Sequence, residues 1–298
     1  MVASSAMAVA PNAAHASACC GGGQSVALRL GPEEVASGSL VALGQQLRGR
    51  WDKHGTFIAS DPATRDRELR VEARAMGKIG RRFQFGAIVP TIFTMRRHAD
   101  GASSGGGIGD VTALSRWDFV KVGGEGVLPG IAATFALGMP TGRSTDHARD
   151  PRGADVTGIG TWEVRPGIAI EKSWWTGYYV IGAMGLGFFA PFSNKFGSRT
   201  HLGPRLQAFV AAGKSFNNGL GVTLGLSHDR ETGPVVGGVR RVALLMKTSA
   251  MLFVSWEIND HWQTFASFQL DLPINSLGRD QLAGTTIGLG VRRAWNVY

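Results

Sequence analysis

Several stretches of this sequence alternate regularly between apolar and polar residues. Leu69 and Val71 share one parity, while Arg70 and Glu72 occupy the other. The same pattern recurs over residues 161–172, 220–228 and 261–271. A period of two is the signature of a β-strand, and charges on one parity exclude a strand that is buried on both faces. The chain is therefore predicted to form sheet with one apolar face and one polar face.

Twelve segments of this type can be read along the chain. They lie near residues 38–51, 66–79, 82–95, 108–120, 127–140, 161–172, 177–190, 204–216, 220–228, 241–257, 261–271 and 283–297. Short turns between them alternate with longer polar loops, near residues 52–65, 96–107, 141–158, 191–203, 229–240 and 272–282. Pro140, Pro191 and Pro273 each follow an apolar run and open a long loop, where a residue that cannot donate to a strand ladder is expected.

This order of turns and loops predicts an all-β fold, a closed antiparallel up-and-down transmembrane β-barrel of about 12 strands. A ring of such strands turns its apolar face to lipid and its polar face to water, and closure removes the unpaired edge. Charged residues make up only 18% of the chain, below the usual quarter for a soluble domain. An even strand count places both termini on the side of the short turns.

Two features of the apolar segments bear on this fold. The run from Trp174 to Phe192 is long enough for a transmembrane helix, but its four glycines and its paired aromatic residues favour a strand. Aromatic residues near strand ends fit girdles at the two membrane interfaces. This set contains Trp51, Phe83, Trp117, Phe119, Trp162, Trp174, Trp175, Tyr178, Phe188, Trp256, Trp262 and Trp295.

Charged residues on the polar parity are predicted to line the lumen. The candidate residues are Arg70, Glu72, Arg74, Asp110, Arg116, Asp118, Glu163, Arg165, Glu171 and Lys247. Gln207 and Lys214, both in segment 204–216, are predicted to face the lumen as well. Both signs of charge are interspersed among them. Two interpretations stay open: a network of ion pairs that fills and stabilises a narrow barrel, or a charged constriction that selects solutes. Twelve strands fall between eight, which leave room only for side chains, and sixteen, which leave an open channel.

The N-terminal region is predicted to lie outside the barrel. Residues 1–20 are interpreted as an export signal, truncated because no Lys or Arg precedes Arg29, with Ala16-Ser17-Ala18 as an A-x-A cleavage site. Residues 21–36 are predicted to form a periplasmic segment, and residues 37–298 the barrel. An alternative makes Cys19 a lipid-modified N-terminus.

The sequence predicts no enzyme, cofactor or metal site. Adjacent residues of a strand point to opposite faces, so Ser227-His228-Asp229 cannot converge as a triad. The run Gly105–Asp110 lacks the Lys-Ser/Thr of a phosphate loop and is predicted to be a flexible loop that enters a strand. The net charge of +9 is spread over single residues, which argues against nucleic-acid binding.

Two short motifs resemble a known family. Gly107-Ile108-Gly109-Asp110 opens a strand and Leu137-Gly138-Met139-Pro140-Thr141-Gly142 closes one, and Gly-rich alternating strands follow. With them, the region from Gly105 to Tyr298 resembles the Gram-negative outer-membrane barrels named for the MetA pathway of phenol degradation. The resemblance implies a pore-like protein for small aromatic or other hydrophobic compounds, and it supplies no functional residues. The terminal Tyr298 departs from it, because this aromatic is out of phase with the apolar parity of the last strand.

These observations predict a monomeric pore or transporter in the outer membrane of a Gram-negative bacterium, for passive uptake or export of a small solute. Its expected partners are outer-membrane lipid and that solute. Two alternatives remain: a closed structural or surface-recognition barrel that acts through its outer loops, and a membrane-embedded lipid hydrolase.

Overall fold

A computed structural model describes residues 29–31, 33–122, 128–174, 176–240 and 242–296 of the chain. Within them, twelve long strands form one sheet, and each lies within a few residues of a predicted strand. They are β1 (Glu34–Trp51), β2 (Arg65–Ile79), β3 (Phe83–His98), β4 (Val111–Val120), β5 (Gly130–Met139), β6 (Glu163–Ser173), β7 (Tyr178–Phe189), β8 (Arg205–Ser215), β9 (Leu220–Thr232), β10 (Leu244–Glu257), β11 (Trp262–Asp271) and β12 (Leu282–Asn296). The predicted all-β fold is confirmed.

Each strand pairs antiparallel with its neighbours in chain order, and β1 pairs with β12. Leu40 of β1 faces Val291 of β12, and Val222 of β9 faces Val254 of β10. The sheet therefore closes on itself as an up-and-down barrel, and no long strand is left with an unpaired edge.

The outward parity of these strands is apolar. Leu69 and Phe93, directly opposite each other on β2 and β3, are 45% and 51% exposed, and Leu289 on β12 is 62% exposed. A continuous apolar surface of this kind is far larger than a soluble monomer carries, and it fits contact with lipid. No helix among the described residues is long and apolar enough to cross a bilayer, and the run from Trp174 to Phe192 contains strand β7.

Connections at one end of the barrel are shorter than those at the other. The shorter ones are 80–82, 121–129, 174–177, 216–219 and 258–261, and we call this the short-turn end. The longer ones are 52–64, 99–110, 140–162, 190–204, 233–243 and 272–281, at the long-loop end. β1 begins and β12 finishes at the short-turn end, while Pro140, Pro191 and Pro273 lie at the long-loop end, as predicted.

The long loops contain regular structure of their own. Their short elements are the strands Phe57–Ala59, Gly101–Ile108, Phe192–Ser193, Arg199–His201, Val235–Val236, Val239–Arg240 and Gly278–Arg279, and the 3-10 helix Thr145–His147. The polar loop predicted near 96–107 and the flexible loop predicted over Gly105–Asp110 are both wrong as far as Ile108, because Gly101–Ile108 pairs with β3 and extends it as a hairpin. Gly105 is needed there because a Cβ at this residue would lie 2.9 Å from the backbone of Ala154 in loop 140–162.

Trp51 is not part of an exposed girdle, although its position at a strand end predicted one. It is 1% exposed, and its indole nitrogen donates a hydrogen bond to the carbonyl of Ile274, 3.1 Å away. Loop 272–281 folds over the ring, and Gly278 packs so closely that a Cβ would lie 2.0 Å from it. Among the other predicted aromatics, Trp117, Trp162 and Trp295 are exposed, as a girdle requires, and Trp175 lies outside the described residues.

Several predictions fall outside the described residues. These are the export signal over residues 1–20, the lipidation of Cys19, most of the segment 21–36 and the terminal Tyr298. They stay predictions.

Candidate functional site in the barrel interior

A network of charged side chains lies at the short-turn end of the interior. Arg116 on β4 is 3% exposed and contacts two carboxylates: its Nε lies 2.7 Å from Oδ1 of Asp118, and its Nη1 lies 2.7 Å from Oε1 of Glu171 on β6. Gln84 on β3 donates from Nε2 to Oδ2 of Asp118, at 3.0 Å. Because a barrel wall is one strand thick, buried side chains of this kind occupy its inside. We call Gln84, Arg116, Asp118 and Glu171 the short-turn network.

Residues 29–31 enter this network from outside the strands. Nη1 of Arg29 lies 3.0 Å from Oε2 of Glu171, and the backbone N–H of Leu30 donates to Oε1 of Gln84 at 2.7 Å. The Leu30 side chain is buried against Met76, Ile88, Leu114 and Ala136. These three residues therefore narrow the interior at the short-turn end, a contact that no periodicity in the sequence could have indicated.

A ladder of alternating charges runs along the inward face of β2. Arg74 donates from Nη2 to Oε2 of Glu72 at 2.6 Å, and Arg70 donates from Nη2 to Oε1 of Glu68 at 2.9 Å. Residues two apart in a strand share a face, so each arginine reaches the acid beside it. Arg70 and Glu72 are both buried, and Arg74 is half-buried.

A second network lies at the long-loop end. Arg205 at the start of β8 donates from Nη2 and Nε to Oε2 of Glu231 on β9, at 2.7 and 2.8 Å. Arg165 donates from Nη2 to Oε2 of Glu163 on the same strand, at 2.8 Å. Nearby on β10, Lys247 lies 3.6 Å from Asp271. These pairs are buried, and the sequence missed Arg205 and Glu231 because they lie at strand ends beside loops.

Asp110 differs from the other candidate residues. It lies between the strand Gly101–Ile108 and β4, and it accepts hydrogen bonds from the backbone N–H groups of Gly142 and Ile159, at 2.9 and 2.6 Å. Burial raises the pKa of this carboxyl, although both N–H donors oppose the shift. Asp110 thus anchors both ends of loop 140–162 at the barrel mouth.

Asp155 organises the same loop from within. It accepts from Nη1 of Arg143 at 2.7 Å and from the backbone N–H of Arg149 at 2.9 Å. Burial tends to raise its pKa, but these hydrogen bonds outweigh burial and hold the pKa below the ordinary value. The loop is therefore a folded structure built on acid-to-backbone contacts, packed against the inward side of Gly105.

Aromatic and thioether side chains cover another part of the interior, which the sequence analysis did not single out. Tyr179, Phe209, Met251, Phe253 and Phe265 lie on β7, β8, β10 and β11 and are partly exposed. The Phe253 and Phe265 rings are 5.2 Å apart, and glycines of neighbouring strands pack beside Tyr179, Phe209 and Phe265. We call these five residues the aromatic wall. The sequence does contain a signal for this wall, because Phe253 and Phe265 have the parity opposite to that of the lipid-facing Trp256 and Phe268 and should therefore face inward.

Lys214 does not belong to the interior. Its Nζ lies 4.5 Å from the ring centre of Tyr178 and 5.1 Å from that of Phe216, on the outward side. The prediction that placed it with Gln207 was wrong, because residues seven apart in one regular strand face opposite sides. The many alanines of β8 weaken the alternation and hide this parity.

Loop 140–162 also contains a serine and a histidine in contact. Oγ of Ser144 lies 3.2 Å from Nδ1 of His147. The contact spans one turn of a 3-10 helix, and among the described residues no carboxylate bonds to His147. Among all the described residues of the chain, no group of three His, Cys, Asp or Glu side chains lies close enough together to hold a metal ion.

Comparison with solved structures shows the fold. The COG4313 outer membrane channel from Pseudomonas putida F1 superposes with a TM-score of 0.73 at 15% identity, over 89% of this chain and 97% of that one. The transport unit of the autotransporter AIDA-I from Escherichia coli superposes with a TM-score of 0.51 at 8% identity, over 92% and 96%. The beta domain of the Bordetella autotransporter BrkA gives 0.50 at 11% identity, over 88% and 100%.

No family model matches the sequence, and the search of curated proteins finds no match. The resemblance to the MetA-pathway family therefore stays a prediction. The fold, the apolar outer face and the exposed aromatic residues make this chain a β-barrel of the Gram-negative outer membrane. Because channels and autotransporters share the fold, the function must be argued from the interior.

Proposed function

We propose that the barrel is a passive channel for a small solute with an aromatic or other hydrophobic part. The observation that carries this proposal is the aromatic wall. Its rings are partly exposed, whereas the charged side chains of the two interior networks are buried. Rings in an interior filled only for stability would be expected to pack out of contact with solvent. Partly exposed rings offer a weak binding surface, which a channel requires because a solute that binds too tightly does not leave.

The charged residues have a complementary part in this proposal. Arg70, Arg74, Arg116, Glu163 and Arg165 would line the pathway opposite or beside the aromatic wall. Each arginine already contacts a carboxylate, so it would present a polar guanidinium to a substituent of the solute without an uncompensated charge. The solute would thus be oriented by its polar group and held weakly by its ring. The barrel would act as a monomer, because one copy contains both surfaces.

A closed barrel is the second candidate, and a specific observation favours it. Both charged networks bridge strands, and residues 29–31 occupy the interior beside Glu171. In this alternative the ion pairs only stabilise the barrel and the long loops carry the function. A lipid hydrolase has less support, because the Ser144–His147 contact has no acid partner among the described residues.

Flux through proteoliposomes tests the proposal. Benzenesulfonate and gluconate both carry one negative charge and cross bare lipid slowly, but only the first has a ring. We expect benzenesulfonate flux to exceed gluconate flux in wild type. In the double variant Phe253→Ala/Phe265→Ala the ratio of the two fluxes should fall about two- to twelvefold, since an aromatic contact contributes about 0.5–1.5 kcal/mol. Phe268→Ala, on the outward face of β11, is the matched control and should leave the ratio unchanged.

Folding is checked in parallel through the shift in gel mobility that a folded barrel shows on heating. A folded wild type that passes neither solute would reject the channel and favour the closed barrel. Equal effects of the inward and outward phenylalanine variants would reject the aromatic wall as the solute contact. Release of fatty acid from phospholipid by the same preparation would instead favour the hydrolase.

A further inference from the structure

Five arginines form a cluster on the outward face at the long-loop end of β1, β2 and β3. All five side chains are exposed: Arg48, Arg50, Arg65, Arg67 and Arg97. The register places Arg65 directly opposite Arg97, and Arg67 opposite Met95 and Gln46. Since outward residues recur every second position, the cluster continues the row of Leu69 and Phe93 toward the loops. We call these five residues the outer arginine cluster.

No described residue of the chain supplies a counter-charge to this cluster. The acids next in sequence point the other way: Asp66 contacts Nε2 of His98 at 3.2 Å, and Glu68 contacts Arg70. Within the described chain, none of the five arginines forms an ion pair or a side-chain hydrogen bond. Like charges directly opposite on neighbouring strands, as in Arg65 and Arg97, destabilise a sheet unless an anion lies between them.

The height of the cluster matches a membrane surface. From Ile79 at the short-turn end to Leu69, β2 advances ten residues, about 33 Å along a strand at about 3.3 Å per residue. A tilt of about 40° reduces this to about 25 Å, the height of the apolar band of such barrels. Arg67 and Arg65 come directly after Leu69 on the same face. The cluster therefore begins where the hydrocarbon of the outer leaflet ends.

We propose that the outer arginine cluster binds the phosphate groups of lipid A, the phosphorylated glycolipid that anchors lipopolysaccharide in the outer leaflet. Guanidinium groups bind phosphate through two parallel hydrogen bonds, and five of them over three strands suit a headgroup with more than one phosphate. The acyl chains of the same lipid would lie against Leu69 and Phe93, which are exposed just below Arg67, and against Met95, which is exposed level with it. The site is independent of what passes through the barrel.

The test uses the purified, folded full-length barrel in detergent, with lipid binding measured by titration and native mass spectrometry. The probe is bisphosphorylated lipid A, and the comparison probes are the same glycolipid without phosphates, phosphatidylglycerol and inorganic phosphate. The variant Arg67→Gln/Arg97→Gln removes two charges from the cluster. Its matched control, Arg81→Gln/Arg82→Gln, removes two exposed charges from the turn at the opposite end.

We expect the Arg67/Arg97 variant to bind bisphosphorylated lipid A at least tenfold more weakly than wild type, and the Arg81/Arg82 variant to bind it as wild type does. The glycolipid without phosphates should bind wild type at least tenfold more weakly. Equal binding by both double variants, or equal binding of both glycolipids, would overturn the proposal. It would also be overturned if phosphatidylglycerol bound as tightly as lipid A, or if inorganic phosphate displaced lipid A at equimolar concentration.

Discussion

Arginines inside the barrel and arginines on its outer rim have opposite surroundings. Arg116 and Arg205 are 3% and 4% exposed, and each contacts at least one buried carboxylate. Arg65 and Arg67 are exposed and contact none among the described residues. Arg67 and Arg70 are only three positions apart on one strand, so residue type does not explain the difference. The parity of the position explains it. Arginines of the inward parity contact carboxylates of the protein, and arginines of the outward parity contact groups of the membrane.

The energetics of the two sets should differ accordingly. A buried charge that loses its partner keeps the cost of desolvation, about 3–5 kcal/mol. An exposed charge on a surface keeps its water, and its replacement changes stability by about 0.5 kcal/mol or less. Substitutions can therefore show whether the contrast seen in the structure is also a contrast in free energy.

The largest effect is expected for Arg116→Ala. This change leaves Asp118 and Glu171 buried without their shared cation, so the free energy of unfolding should fall by about 3–5 kcal/mol. Arg67→Ala, on the outer rim, should change it by at most about 0.5 kcal/mol. Urea unfolding in lipid vesicles, followed by tryptophan fluorescence, measures both. Similar losses for the two variants would contradict the distinction between inside and outside.

A somewhat smaller effect is expected for Arg205→Met, which leaves Glu231 without its partner at the long-loop end. The loss should be about 3 kcal/mol, the lower end of the range for a broken buried pair. The double variant Arg205→Met/Glu231→Leu should regain most of it, because two apolar side chains leave no uncompensated charge. The same unfolding measurement applies. A double variant as unstable as the single one would show that the pair contributes by more than mutual neutralisation.

The sequence predicted the walls of the barrel well because alternation is a local property. Arg70 and Glu72 are buried as their parity requires, and all twelve strands lie close to their predicted positions. The prediction failed where a long-range contact decides the structure. Trp51 is covered by loop 272–281, and Leu30 packs among residues of β2, β3, β4 and β5. No spacing along the chain encodes such contacts.

The candidate site was predictable to a similar extent. Its charged residues could be chosen by parity, but the partner of each depends on register, which periodicity does not give. Arg116 reaches Glu171 across β5, 55 positions along the chain. Charge alone does not identify the aromatic wall as part of the interior, although Phe253 and Phe265 have the inward parity as well.

Among the ion pairs, the smallest effect is expected for Arg143 and Asp155, because Arg143 is half-exposed although Asp155 is buried. A partly exposed pair contributes about 0.2–1 kcal/mol.

The contribution of Asp155 to stability should also depend on pH. The pKa of Asp155 is lowered in the folded protein, so its stabilising contribution is complete above the ordinary value of 3.8 and is lost as the pH falls through the lower folded value. Hydrogen exchange of the backbone amides in loop 140–162 should therefore show less protection at pH 3 than at pH 7, after correction for the intrinsic rate. Asp155→Asn should reduce protection at pH 7 and remove most of the pH dependence. If protection in the variant still followed pH as in wild type, another acid would control the loop, and Asp110, which anchors both of its ends, would be the first to substitute.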